Sequence, residues 1–225
     1  MPSGCQERRA AVLINEQSFI NEEGPVAGRP RGVDDSVILR AAAEVIGRVG
    51  PAGLTLAAVA DEVGLVPGTL VQRFGSKRGL LVALARQSAH EAEAHHERLR
   101  QGRPSPLAAL VALAEESMSL MDTPERFANH LAFLCMDLTD PQLREYALAI
   151  HEAQRRAILA LLDEAVAEGE LRVGTDTAAL AGSVQALIAG TGLTWALDRQ
   201  DTLPERLRRA VTALLSPHTR SKEMS

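Results

Sequence analysis

Between Thr55 and Leu80 the chain reads TLAAVADEVGLVPGTLVQRFGSKRGL, two short helical patterns parted by only a few residues around a glycine. In the first, Leu56, Val59, Ala60 and Val63 fall on one face behind a threonine that can cap the helix, and Gly64 supplies the left-handed turn that ends it. The second begins at Pro67, whose missing N–H costs nothing at a first helical position. Leu70 and Phe74, four apart, face inward, so Thr69, Val71, Gln72 and Arg73 point elsewhere. A third helix opens at Ser76, with Lys77 and Arg78 beside its start. A two-turn helix that turns small, uncharged and amide-bearing residues outward between basic flanks suits the major groove of DNA.

The pattern T-x-x-x-V-A-x-x-V-G-L-x-x-G-T-L-x-x-x-F-x-S-K-x-x-L, carried by Thr55, Ala60, Gly64, Gly68, Thr69, Leu70, Phe74, Ser76, Lys77 and Leu80, resembles the DNA-binding signature of the TetR (tetracycline-repressor-like) family of bacterial regulators. Two positions depart from it. Val66 stands where the family has a capping serine, and Val71 where it has a tyrosine that reaches a phosphate, so Pro67 must define the helix start alone. The resemblance implies an all-α fold, with a three-helix head and a C-terminal helical domain that binds an effector and dimerises. It also implies a homodimeric repressor, released from a palindromic double-stranded operator by a small apolar or amphipathic molecule, with no cofactor and no catalytic residues. The alternative is a helical small-molecule-binding or scaffold protein whose DNA binding is weak or lost. Thr55, Thr69, Arg73 and Lys77 are expected to meet phosphates, and Pro67, Gly68, Val71 and Gln72 to face base edges.

A net charge of −5 argues at first sight against a nucleic-acid partner. The distribution of charge points the other way, because the sum over residues 25–80 is positive while both flanks are negative, and binding follows the local field. Residues 1–28 mix charges, amides and glycine without a sustained period and read as a disordered extension. Arg29 and Arg31 around Pro30 then resemble the core of an AT-hook, a stiff arm for an A·T-rich minor groove, the plainer reading being a solvated linker. Residues 29–80 form the head with this arm, and 81–225 the second domain. Hydrophobic residues make up 46% of the chain and aromatics 3%, so Leu, Val, Ile and Ala must fill the core, which favours helices. Cys5 and Cys135 sit in unlike contexts and are not expected to pair, which with the absence of a secretory signal points to the cytoplasm, in association with the nucleoid. No stretch of about 18 apolar residues is seen, so no membrane span is expected.

Asp34 or Asp35 can cap a first helix bearing Ile38, Ala42, Val45, Ile46 and Val49, ended by Gly50-Pro51. The helix from Ser76 runs toward Arg100. Beyond the break at 101–106, helices are expected near 106–121, 124–138, 141–168, 176–198 and 204–215, each bounded by cap, turn or proline chemistry. In the stretch from Ser117 to Met136, Met118, Met121, Phe127, His130, Phe133 and Leu134 combine flexible and aromatic apolar groups with a few polar ones, and Tyr146 and His151 follow on the next helix. These eight are the candidate effector residues, although such a stripe also suits a core. Val184, Leu187, Ile188, Thr191 and Trp195 form one late stripe, and Leu207, Val211 and Leu214 belong to another. With small residues around them, these are the candidate dimer interface.

Enzyme signatures are missing. Gly190-Thr191-Gly192 has Trp195 where a dinucleotide loop needs its third glycine. His90, His95 and His96 lack the i, i+3 or i+4 spacing of helical metal pairs, so no metal site is expected.

Overall fold

The computed structural model describes residues 33–101 and 103–220, and the side chains of all of these except 93 and 95–101. The expectations for the N-terminal extension, for Arg29 and Arg31, and for the side chains of His95 and His96 therefore lie outside the described residues. Within them the fold is all-α: α1 (Asp35–Gly53), α2 (Leu56–Glu62), α3 (Pro67–Phe74), α4 (Lys77–Gln101), α5 (Pro106–Glu116), α6 (Pro124–Thr139), α7 (Pro141–Ala167), α8 (Thr177–Asp198) and α9 (Leu203–Leu215), then a 3-10 turn at Ser216–His218. Among the described residues the one β contact is an isolated bridge between Leu171 and Thr219.

Local chemistry sets these boundaries. Asp34 accepts from the Ser36 N–H at 2.8 Å at the start of α1, and Gly50, at φ 72°, breaks that helix before Pro51. Thr55 caps α2 by accepting from the Ala58 N–H at 3.0 Å. Gly64 adopts φ 67° in the turn. Val66 makes no side-chain cap bond, so α3 begins on Pro67 alone. In the body Ser105, Thr123, Asp140 and Thr202 each cap a helix that carries proline in its first turn, and Thr202 with Glu205 completes a capping box. α5 stops at Glu116, short of the expected 121, because Ser117 turns its hydroxyl onto the Ala114 carbonyl at 2.8 Å and Ser119 tightens onto Glu116.

Two cores result. Ile38, Ala42, Val45, Ile46, Leu54, Val59, Leu70 and Leu80 are buried in the head. Leu110, Leu113, Ile158, Leu162, Val184, Ile188, Leu207 and Val211 are buried in the body. The head is pinned to the body along α1 and α6: Arg126 pairs with Glu44 at 2.5 Å, Asn129 donates to the Gly47 carbonyl at 2.8 Å, and Phe133 and Met136 pack on the head's core. By length and composition alone α8, 22 residues with a window of mean hydropathy 1.3, is apolar enough to cross a membrane. Its apolarity has a use in the fold, since one stripe of it closes the body's core.

Candidate functional site

The short helix α3 is anchored by a single fully buried residue, Leu70, with Phe74 half-buried behind it. Its opposite face is open: Pro67, Gly68, Val71 and Gln72 are exposed, and Thr69 is half-buried. A Cβ added at Gly68 would meet no atom within 4 Å, so the backbone itself forms part of this surface. Gln72 makes no side-chain hydrogen bond among the described residues, leaving its amide donor and acceptor for an outside partner. The flanking basic residues differ from it. Arg73 donates to Asp35 at 3.0 Å and to the Val33 carbonyl, and Lys77 donates to the Ala52 carbonyl at 3.1 Å. Both cations are thus held by the end or the start of α1, and each keeps spare N–H donors. Thr55 spends its acceptor on capping α2. Gly79 is a further requirement that the sequence reading missed. A Cβ there would collide with the Phe74 carbonyl oxygen, so α4 leaves α3 at a distance only glycine allows.

A second feature lies in the body. A cavity of about 900 Å³ is walled by the turn after α5, by α6, α7 and α8, with Met118, Met121, Leu134, Leu148 and Ile188 as its apolar surface and Ser117, His151, Glu152, Gln154, Arg155 and Gln185 as its polar groups. A neighbouring groove of about 840 Å³ between α6 and α7 is lined by Leu138, Pro141, Arg144 and Ala147, and shares Leu134, Leu148 and His151 with the first. Gln185 is buried and donates to the His151 carbonyl at 2.9 Å and to Gln154 at 3.3 Å. Its signal in the sequence was one amide inside the apolar stripe of α8.

Residues 38–84 match the family profile described as "Bacterial regulatory proteins, tetR family", and residues 104–219, more than half of the chain, match that of "BetI-type transcriptional repressor, C-terminal". The chain belongs to the TetR family. It is a DNA-binding transcriptional regulator. No curated protein matches it. Among solved structures, a putative TetR-family regulator from Rhodococcus sp. is 24% identical, with 83% of this chain and 98% of that one covered at TM-score 0.63. A putative transcriptional regulator from Saccharomonospora viridis in complex with choline is 18% identical, with 83% and 98% covered at TM-score 0.68. FadR from Bacillus subtilis in complex with stearoyl-CoA is 20% identical, with 81% and 98% covered at TM-score 0.61. At these identities the likeness is one of fold.

In this TetR-family body the expected effector residues divide. Met118, Met121, Leu134 and His151 line the cavity. Phe127, His130, Phe133 and Tyr146 lie outside that lining. Phe127 is buried edge-on against Trp195, ring centroids 6.5 Å apart, beside Gly192, whose Cβ would lie 2.5 Å from its ring. Phe133 packs on the head, because a helix wedged between head and body must face both. His130 sits in the same seam, its Nε2 buried without a partner among the described residues, and burial first, then Arg126, holds its pKa below the usual imidazole value. Asp137, one turn beyond Phe133, is buried there too, and burial, with help from Asp140, pushes its pKa up to about 6.

The expected interface residues lie largely within this chain's own core. Val184, Ile188, Thr191, Trp195, Leu207 and Val211 are buried within this chain, and Leu187 and Leu214 are partly buried against the same core. α8 packs between α7 and α9, so its apolar stripe is consumed in closing its own subunit. Among the residues α8 leaves outward are Gly190, Leu193 and Leu197, the last 77% exposed. Among the described residues no group of three His, Cys, Asp or Glu is placed to hold a metal ion.

Proposed function

We propose that two copies of this chain bind a roughly palindromic operator, block transcription there, and leave it when a small apolar or amphipathic effector enters the cavity of the body. The observation that carries this reading is the outward face of α3, where Pro67, Gly68, Val71 and Gln72 are exposed on a helix fixed from behind by Leu70. Gln72 has the geometry to bond adenine bidentately, and Val71 to touch a thymine methyl. Thr55, Thr69, Arg73 and Lys77 position the head on phosphates, with Arg73 and Lys77 sharing donors already given to α1. Residues 29–80 act as the head, with Arg29 and Arg31 entering the adjacent minor groove, 81–225 act as the effector and dimerisation domain, and 1–28 as an extension.

Dimerisation uses the side of α8 that the core leaves free, around Gly190, Leu193 and Leu197, together with the outer face of α9. It sets two recognition helices about 34 to 36 Å apart, one turn of duplex. The effector acts by preferring a state in which the heads no longer match that spacing, and a coupling of about 1 to 3 kcal/mol gives a useful switch. The choline and stearoyl-CoA complexes of two regulators with this fold support a small-molecule effector. The chain acts by binding, without turnover, in the cytoplasm. An electrophoretic shift of the DNA upstream of the chain's own coding sequence, against a random duplex, tests this. A specific shift supports the reading, and equal retardation of both duplexes removes it.

A further inference from the structure

We propose that the effector is an elongated amphiphile with one carboxylate head and a long alkyl tail, bound head-first at Arg155 with its tail lying along α7 toward Leu138 and Pro141. This rests on the reading that the cavity of the body is the effector site, and it names the class of molecule that site selects.

The length of the site comes from the way its two parts join. The cavity between α7, α8 and the turn after α5 and the groove between α6 and α7 share Leu134, Leu148 and His151, so one ligand spans both. Arg144, Leu148, His151 and Arg155 follow one another at i, i+4, i+7 and i+11, a single face of α7 that runs the length of the combined site. From Pro141 to Arg155 that face extends about 21 Å at 1.5 Å per residue. A compact ligand fills half of such a space, whereas an extended alkyl chain fills it.

The head group follows from charge. In the body Arg103, Arg126, Arg199, Arg206, Arg208 and Arg209 all form ion pairs. Arg155 forms none among the described residues, and it is the one arginine or lysine that lines this cavity. A planar guanidinium with free N–H donors in a cavity with an apolar surface recognises a carboxylate bidentately. Arg144, also unpaired among the described residues, stands at the other end, but the polar groups Ser117, Gln154 and the buried Gln185 gather at the Arg155 end, and only there is a hydrated head accommodated. Glu152 also lines that end, so Arg155 is the one cation available there and a second carboxylate would find no partner; the ligand carries one carboxylate.

Tail length then carries the signal. Leu138 and Pro141 flank Asp140, whose carboxylate holds Arg78 at the start of α4. A tail long enough to displace Leu138 disturbs that contact, and a short one does not reach it.

The test uses the full-length chain with octanoate, dodecanoate and hexadecanoate below their micelle concentrations, beside dodecanol and dodecyltrimethylammonium, reading calorimetric affinity and release of its upstream DNA in the same samples. We expect dodecanoate to bind about tenfold more tightly than the alcohol or the ammonium, R155Q to abolish that preference, and R144Q to keep it. Octanoate binds without releasing DNA, and L138Q, at an exposed position that leaves the fold intact, weakens hexadecanoate more than octanoate. Equal affinity for all three head groups, or an unchanged preference in R155Q, overturns the proposal. Release of DNA by the alcohol or ammonium alone overturns this ligand class but leaves the repressor reading standing, whereas failure of the free protein to bind its upstream DNA removes the repressor reading itself.

Discussion

The Arg78 guanidinium straddles the Asp140 carboxylate, its Nη2 lying 2.9 and 3.2 Å from the two oxygens and its Nε 3.2 Å from Oδ2, while Nη1 donates to Gln142 at 3.1 Å. The same carboxylate caps α7 by accepting from the Gln142 and Leu143 N–H groups. One side chain therefore joins the start of the helix that follows the recognition helix to the start of the helix that floors the cavity. Replacing Asp140 with Asn keeps the capping oxygen and removes the charge pair. We expect D140N to retain operator affinity within about threefold while losing most of its response to effector, since an interaction energy between sites sets the response. Parallel gel-shift titrations with and without effector check this, and an unaltered response would show that the pair does not transmit.

Asp137 lends the head–body seam a pH dependence. Burial, reinforced by the charge of Asp140, raises its pKa from 3.8 to about 6 in the folded chain. An acid whose folded pKa is raised holds its proton more tightly when folded, so the destabilisation is absent below the unfolded value, grows as pH rises, and is complete above about 6. The cost above that pH is on the order of 3 kcal/mol. We expect D137N to raise the melting temperature by a few degrees near neutral pH and by much less near pH 4. Thermal melts across that range decide it, and equal shifts at both ends would place the effect in packing.

Gly79→Ala adds a Cβ against the Phe74 carbonyl oxygen, and backbone there cannot yield without moving α3 relative to α4. We expect loss of operator binding with a destabilisation of about 1 to 3 kcal/mol. Gly68→Ala, in open space on the same face, is expected to leave stability unchanged and to weaken only DNA binding. Circular dichroism melts beside gel shifts separate the two. An intact operator complex in G79A would show that α3 does not depend on that close approach.

The two basic residues beside α3 are expected to respond differently to salt. Replacing Lys77 with Gln should flatten the slope of log affinity against log salt by about one unit. Arg73→Gln should change it less, because Asp35 already neutralises Arg73 at 3.0 Å. Asp35→Asn should then steepen the slope. Fluorescence anisotropy over a salt series reads all three, and equal slopes for the Arg73 and Lys77 variants would contradict this.

How much of this was legible beforehand depended on whether a residue's role is set locally. Thr55, Gly64 and Pro67 act on backbone within a few residues of themselves, so the head could be read from spacing, as could the caps at Thr123, Asp140 and Thr202. The fate of an apolar stripe is decided by whatever packs on it. Val184, Ile188 and Trp195 therefore announced a buried face without saying that α7 and α9 of the same chain would bury it. Phe127 and Phe133 likewise lie on one helix yet serve two different cores. Gly79 gave no sign at all, because its necessity comes from a carbonyl five residues away. Arg73 and Lys77 were visible as cations near a recognition helix, but their partners on α1 are fixed only by the tertiary arrangement.

The most direct test of the central claim is the affinity of the full-length chain for its own upstream DNA, measured against a random duplex at physiological salt, with Gln72→Ala alongside. The upstream DNA is expected to bind at least about a thousandfold more tightly, to show two protected half-sites one helical turn apart, and to lose discrimination at one base pair per half-site in Q72A. Equal affinity for the two duplexes, or full discrimination retained by Q72A, would contradict the assignment of the outward face of α3 to base recognition.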